Sequence, residues 1–165
     1  MIRKLIAIAV AAVLVTATPA QALPKCTSSQ TAAINSQKSV VAGYQQSFAN
    51  DTKKNNDAVT ALQKATAKAT ELNAKIVASQ QKIAGLLANV AKNLKSSPSI
   101  ARGYQAQADS EQKVLSSTQS SYTWAAKDVV DATKVATSAA ATLDRTKSNL
   151  DFQQKKLDQL KAVCS

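Results

Sequence analysis

Apolar side chains recur at every seventh position of this chain in two long runs, and that spacing constrains the fold more than any other feature. The first run is Ile34, Val41, Phe48, Asn55, Leu62, Ala69, Ile76, Ile83 and Val90, interrupted only by Asn55. The second is Ala101, Ala108, Leu115, Tyr122, Val129, Ala136, Leu143, Leu150, Leu157 and Cys164, with no polar member before the cysteine. Seven residues make two helical turns, so each run falls on one stripe of a helix. A phase held this long is the signature of helices packed along their length. A companion row three residues on, Gln37, Tyr44, Asp51, Ala58, Ala65, Leu72, Ser79, Leu86 and Asn93, is more polar. The first helix therefore presents one strong seam row and one weak one.

Three glycines and three prolines in 165 residues are too few for the turns of a sandwich, a barrel or an alternating α/β fold. The strong turn signal is Lys95-Ser96-Ser97-Pro98-Ser99, where Ser97 suits an N-cap and Pro98 the first helical position. An all-α chain is what remains. The spacing predicts helices over about 28–95 and 98–163, each roughly 100 Å long, folded into a long antiparallel, coiled-coil-like helical hairpin. Residues 50–57 carry no apolar side chain, and Asp57 could cap a new helix, so a three-helix bundle with a break there is the alternative. The unchanged phase from Phe48 to Leu62 favours continuity. In a continuous hairpin Asn55 faces about Ala136 across the seam, where a polar residue can set register at some cost in stability.

Residues 1–22 have the parts of a secretory signal peptide: basic Met1 to Lys4, apolar Leu5 to Ala17, and the small-x-small triplet Ala20-Gln21-Ala22. Cleavage after Ala22 would leave a single helical domain over 23–165, secreted to the extracellular space or a bacterial periplasm. The apolar run is too short for a comfortable membrane span and no second one follows, so no transmembrane anchor is expected. Cys26 and Cys164 stand at the two ends of the hairpin, which folding about position 95 brings together. In an oxidising compartment they would join as a disulfide, with free or intermolecular thiols as the alternative.

The formal charge is +11, and without residues 1–22 it is +9, from 19 basic and 10 acidic residues. No histidine occurs, which excludes an imidazole base, Ser-His and Cys-His pairs and the usual zinc sets. Glu71 and Glu111, the only glutamates, lie ~12 Å out of step along a hairpin axis. No glycine-rich phosphate loop is present, and serine and lysine are so abundant that no Ser-Lys pair stands out. Neither catalysis nor a cofactor nor a metal is expected. Hydrophobic residues reach 45%, but 32 are alanines, so the core is thin.

What remains is surface. Lys54, Lys68, Lys75 and Lys82 share one phase beside the seam, and Lys113, Lys127, Lys134 and Lys155 share an outward phase on the second helix. Such stripes suit lipopolysaccharide, acidic glycans, membranes or nucleic acid, although a solvated, solubilising face is the plainer interpretation. Three arginines and 4% aromatics argue against sequence-specific nucleic-acid binding. Trp124 and Phe152, four heptads apart, lie off the seam on one side and are a candidate partner contact, unless they pack on the first helix or a homodimer mate. Asn50-Asp51-Thr52 is a glycosylation sequon with meaning only in a eukaryotic source.

The expected function is that of a non-catalytic secreted helical protein touching an unknown macromolecule or anionic surface. A homodimer is compatible, since two alanine-rich helices bury little alone. One alternative is a membrane-active toxin or defence effector that lays an opened helix on anionic lipid. An extracytoplasmic holdase-type chaperone rests on architecture alone. A small-ligand carrier would need volume that an alanine seam does not offer.

Overall fold

A computed structural model describes residues 25–163. Two helices, α1 (Ser28–Asn93) and α2 (Pro98–Ala162), make up nearly all of it, and no strand occurs among the described residues. They lie against each other as an antiparallel hairpin.

α1 starts at a reciprocal cap. The Gln30 backbone N–H donates to the Thr27 hydroxyl at 3.2 Å, and the Thr27 N–H donates to the Gln30 side-chain oxygen at 2.8 Å. Two otherwise orphaned groups are thereby satisfied. From there α1 runs unbroken through residues 50–57, so the three-helix alternative does not hold. The polar stretch stays helical because its seam positions are still used. Ala58 is buried, Asn55 is half-buried, and the Asp51 carboxylate accepts a 2.8 Å hydrogen bond from the Thr146 hydroxyl of α2. Asn55 Oδ1 is buried without a hydrogen-bond partner, the cost that a polar seam residue brings.

α1 ends at Asn93, two residues before the expected end, and the turn closes with the Ser97 N–H donating to the Asn93 carbonyl at 2.9 Å. Pro98 takes the first position of α2, where its missing N–H costs nothing. Ser97 occupies the N-cap position but its hydroxyl makes no capping bond; its carbonyl accepts from the Ala101 N–H at 3.1 Å.

Along both helices, every position in the alternating three- and four-residue spacing from Ile34 to Asn93 and from Ala101 to Leu160 is buried or half-buried. The seam is therefore the one legible in the sequence, together with a second row on α2 (Tyr104, Glu111, Thr118, Ala125, Ala132, Ala139, Thr146, Gln153, Leu160). Cross-helix hydrogen bonds set the register. The Gln37 side-chain amide donates to the Gln153 carbonyl at 3.1 Å and to its side-chain oxygen at 2.9 Å, and the Ser79 hydroxyl donates to Glu111 at 2.8 Å. Both pairs are centred on position 95.

Burial is shallow. The buried apolar residues are Ile34, Val41, Ala58, Ala101, Ala108, Leu115, Ala125 and Leu157, half of them alanine. A cluster of Ile34, Val41 and Leu157 sits at the open end of the hairpin, with Cys26, Leu150 and Leu160 packed against it. No described helix is long and apolar enough to cross a membrane. The expected signal segment and Cys164 lie outside the described residues.

Candidate functional site

The lysine row on α1 carries its own counter-charges. Lys54 lies 3.7 Å from Asp51, Lys75 lies 2.6 Å from Glu71, and Lys82 lies 2.7 Å from Glu111 of α2. Lys68 joins no ion pair among the described residues. The three- and four-residue spacings of the first two pairs are visible in the sequence as neighbours on a helix surface. The Lys82–Glu111 pair was not visible, because it depends on the register between helices.

Glu111 is the most enclosed carboxylate in the row. Its side chain is only 13% exposed, and its two oxygens accept from Lys82 at 2.7 Å and from the buried Ser79 hydroxyl at 2.8 Å. These bonds, Lys82 first and Ser79 second, hold its carboxyl below the ordinary range. A carboxyl depressed in the folded state stabilises the fold above its unfolded-state pKa and loses that contribution as pH falls through the lower, folded-state value. Acid unfolding should accordingly be less steep in Glu111→Gln than in the wild type below about pH 4.5, while the variant is less stable at neutral pH. Urea titrations across that range would check it, and identical pH slopes for the two proteins would contradict it. Glu71, on the surface, is shifted the same way by its hydrogen bond and charge contact with Lys75.

On α2, Lys127 stands over the Trp124 ring with its ammonium 5.7 Å from the centroid, within range of a cation–π contact. Lys134 lies 3.6 Å from Asp131, while Lys113 and Lys155 point to solvent. Trp124 is 68% and Phe152 64% exposed, so neither packs on α1. Both face outward on α2, as their phase implied.

Thr66, Ala69, Asn73, Tyr122, Ala126 and Val129 line an open groove of about 280 Å³ between the helices. Among the described residues no group of three His, Cys, Asp or Glu side chains is placed to hold a metal ion. One surface escaped the heptad reading altogether. Leu87, Leu94 and Ile100 stand exposed around the turn. The sequence marks this end as basic, with no Asp or Glu between Glu71 and Asp109, but only the structure shows which of its apolar residues stay exposed. No family model matches this chain, and neither a curated protein nor a solved structure is found to be similar to it.

Proposed function

We propose that this is a non-catalytic, secreted protein that works through the outside of its hairpin, by contact with a macromolecule or an anionic surface. The observation that supports this is the distribution of charge. Nineteen basic residues face ten acidic ones over residues 23–165, and only four ion pairs form among the described residues. A rod with that surplus attracts extended anions, and its seam side chains are already used in holding the helices together.

Export and a disulfide belong to the same proposal. Cys26 lies half-buried in the open-end cluster, and α2 ends at Ala162, two residues short of Cys164, so the closing bond needs little further chain. Residues 1–22 would be the cleaved leader.

The test is binding to heparin at low and physiological salt by wild type and by the variant with Lys54, Lys68, Lys75 and Lys82 all changed to Gln. Removing four charges from one face should weaken binding by on the order of tenfold at low ionic strength and flatten its salt dependence. Helix content should stay nearly constant, because all four lysines are exposed, while stability falls somewhat through loss of the Lys82–Glu111 bond across the hairpin. Wild-type protein with no affinity for anionic polymers or vesicles at low salt would make the row a solubility feature. Trp124 and Phe152 would then be the surface to pursue.

A further inference from the structure

We infer that the turn end of the hairpin docks on an anionic lipid bilayer, with Leu87, Leu94 and Ile100 entering the headgroup boundary and Lys92, Lys95 and Arg102 meeting lipid phosphates. Between Glu71 and Asp109 there is no acidic residue, while Lys75, Lys82, Lys92, Lys95 and Arg102 are all basic. Lys75 and Lys82 are engaged by Glu71 and Glu111, which border this stretch. That leaves Lys92, Lys95 and Arg102 at the end of the rod, exposed and in no ion pair among the described residues. The opposite end also joins basic residues, Lys25, Lys155, Lys156 and Lys161, to exposed Phe152 and Val163, but Asp151 and Asp158 stand among them, whereas no acidic residue stands among those of the turn end.

Apolar residues share this cationic tip. Leu87 is 45%, Leu94 59% and Ile100 51% exposed. Leu87 lies six residues before the end of α1, Leu94 caps it and Ile100 is in the first turn of α2, so all three fall within about 10 Å of the tip along the axis. A helix lying on a bilayer buries its apolar face to a comparable depth of about 5–10 Å. Val90, Leu94, Pro98, Ala101, Arg102 and Gln105 line an open groove of about 370 Å³ there, bringing apolar wall and guanidinium together. The first turn of α2 receives no hydroxyl cap from Ser97, and a phosphate oxygen suits the positive end of a helix.

The combination selects lipid over a soluble polyanion. Cations alone would serve a polyanion, which gains nothing from exposed leucine and isoleucine. A bilayer surface rewards both, at about 1 kcal/mol per basic residue near the surface, which converts to about fivefold each. An anionic partner is common to this inference and the function proposed above, but the residues differ, so the two can fail separately.

The experiment is co-flotation of the full mature chain with vesicles of equal parts phosphatidylglycerol and phosphatidylcholine, with pure phosphatidylcholine vesicles and heparin alongside. Wild type should bind the mixed vesicles and not the neutral ones. Changing Lys92, Lys95 and Arg102 to Gln should weaken vesicle binding roughly a hundredfold. Changing Leu87, Leu94 and Ile100 to Ser should weaken it by on the order of tenfold or more while leaving heparin affinity unchanged. As a reporter independent of these variants, Leu94→Trp in a Trp124→Phe background should shift its emission to the blue on mixed vesicles and not on heparin. Wild-type vesicle affinity in the leucine and isoleucine variant, equal losses on vesicles and heparin, or equal binding to neutral vesicles would each overturn the inference. Loss of vesicle binding only when Lys54, Lys68, Lys75 and Lys82 are changed would overturn it and leave the proposed function standing. Absence of binding to both vesicles and heparin would remove this inference and the anionic-surface part of the proposed function, leaving Trp124 and Phe152 as the contact with a macromolecule.

Discussion

Protein prepared in an oxidising compartment should lose about 4–5 kcal/mol of unfolding free energy when Cys26 and Cys164 are both replaced by serine. The cross-link proposed between them would close residues 26–164 into one loop, and loop-closure entropy grows with the logarithm of loop length. A shallow seam has little else to offset the chain entropy, so the loss should appear as a large drop in the urea midpoint. Because Cys26 also touches the Ile34, Val41 and Leu157 cluster, Cys26→Ser alone removes packing as well as the bond. Reducing the wild type with a thiol separates the two effects, since it opens the bond and leaves the side chain in place. Peptide mapping without reductant should recover Cys26 joined to Cys164. Two free thiols in the native preparation, or a midpoint indifferent to reductant, would contradict the proposed bond.

Leu157→Ala should cost about 2–3 kcal/mol and Leu115→Ala a similar amount, against less than about 0.5 kcal/mol for Trp124→Ala. Leu157 and Leu115 are only 4% and 5% exposed, whereas Trp124 is 68% exposed, so truncating the tryptophan removes little area from contact. The leucines belong at the low end of the usual range because the two-helix seam is shallow, with no large side chain fully buried among the described residues, and can partly collapse around the vacated volume. Leu150 and Leu143 are half-buried, and their alanine variants should fall between these limits. Equal losses at Trp124 and Leu157 in thermal unfolding would place Trp124 in a buried contact with a second copy and displace it from the free surface.

Much of the hairpin was legible in advance because helical burial has a period that the chain displays openly. Among the described residues both apolar rows lie in the seam, the turn falls between Asn93 and Pro98, and α1 passes through residues 50–57 in the phase that Phe48 and Leu62 share. Local chemistry was only partly legible. Thr27 and Gln30 form a capping box from a Thr-x-x-Gln pattern that carries no heptad signal, and Ser97 takes the N-cap position without using its hydroxyl. The lysine row was visible, but its neutralisation was not fully so. Asp51 and Glu71 are near neighbours along α1, whereas Glu111 reaches Lys82 only across the hairpin.

The sequence by itself determined the secondary structure, the number of helices and the seam stripe, because heptad spacing, a sparse supply of glycine and proline, and a single strong turn signal act within a few residues of one another. Only the tertiary structure decided which polar seam groups meet: Gln37 with Gln153, Asp51 with Thr146, and Ser79 and Lys82 with Glu111. It likewise decided that Asn55 Oδ1 goes unpaired and that Lys92, Lys95 and Arg102 share the turn end with exposed Leu87, Leu94 and Ile100. The physical reason is that a seven-residue repeat fixes which side of each helix faces inward, while sliding one helix by a heptad preserves that match. Distance between partners on different helices is set by the axial register, which comes from the length of the turn and from the pairing of polar groups inside the seam.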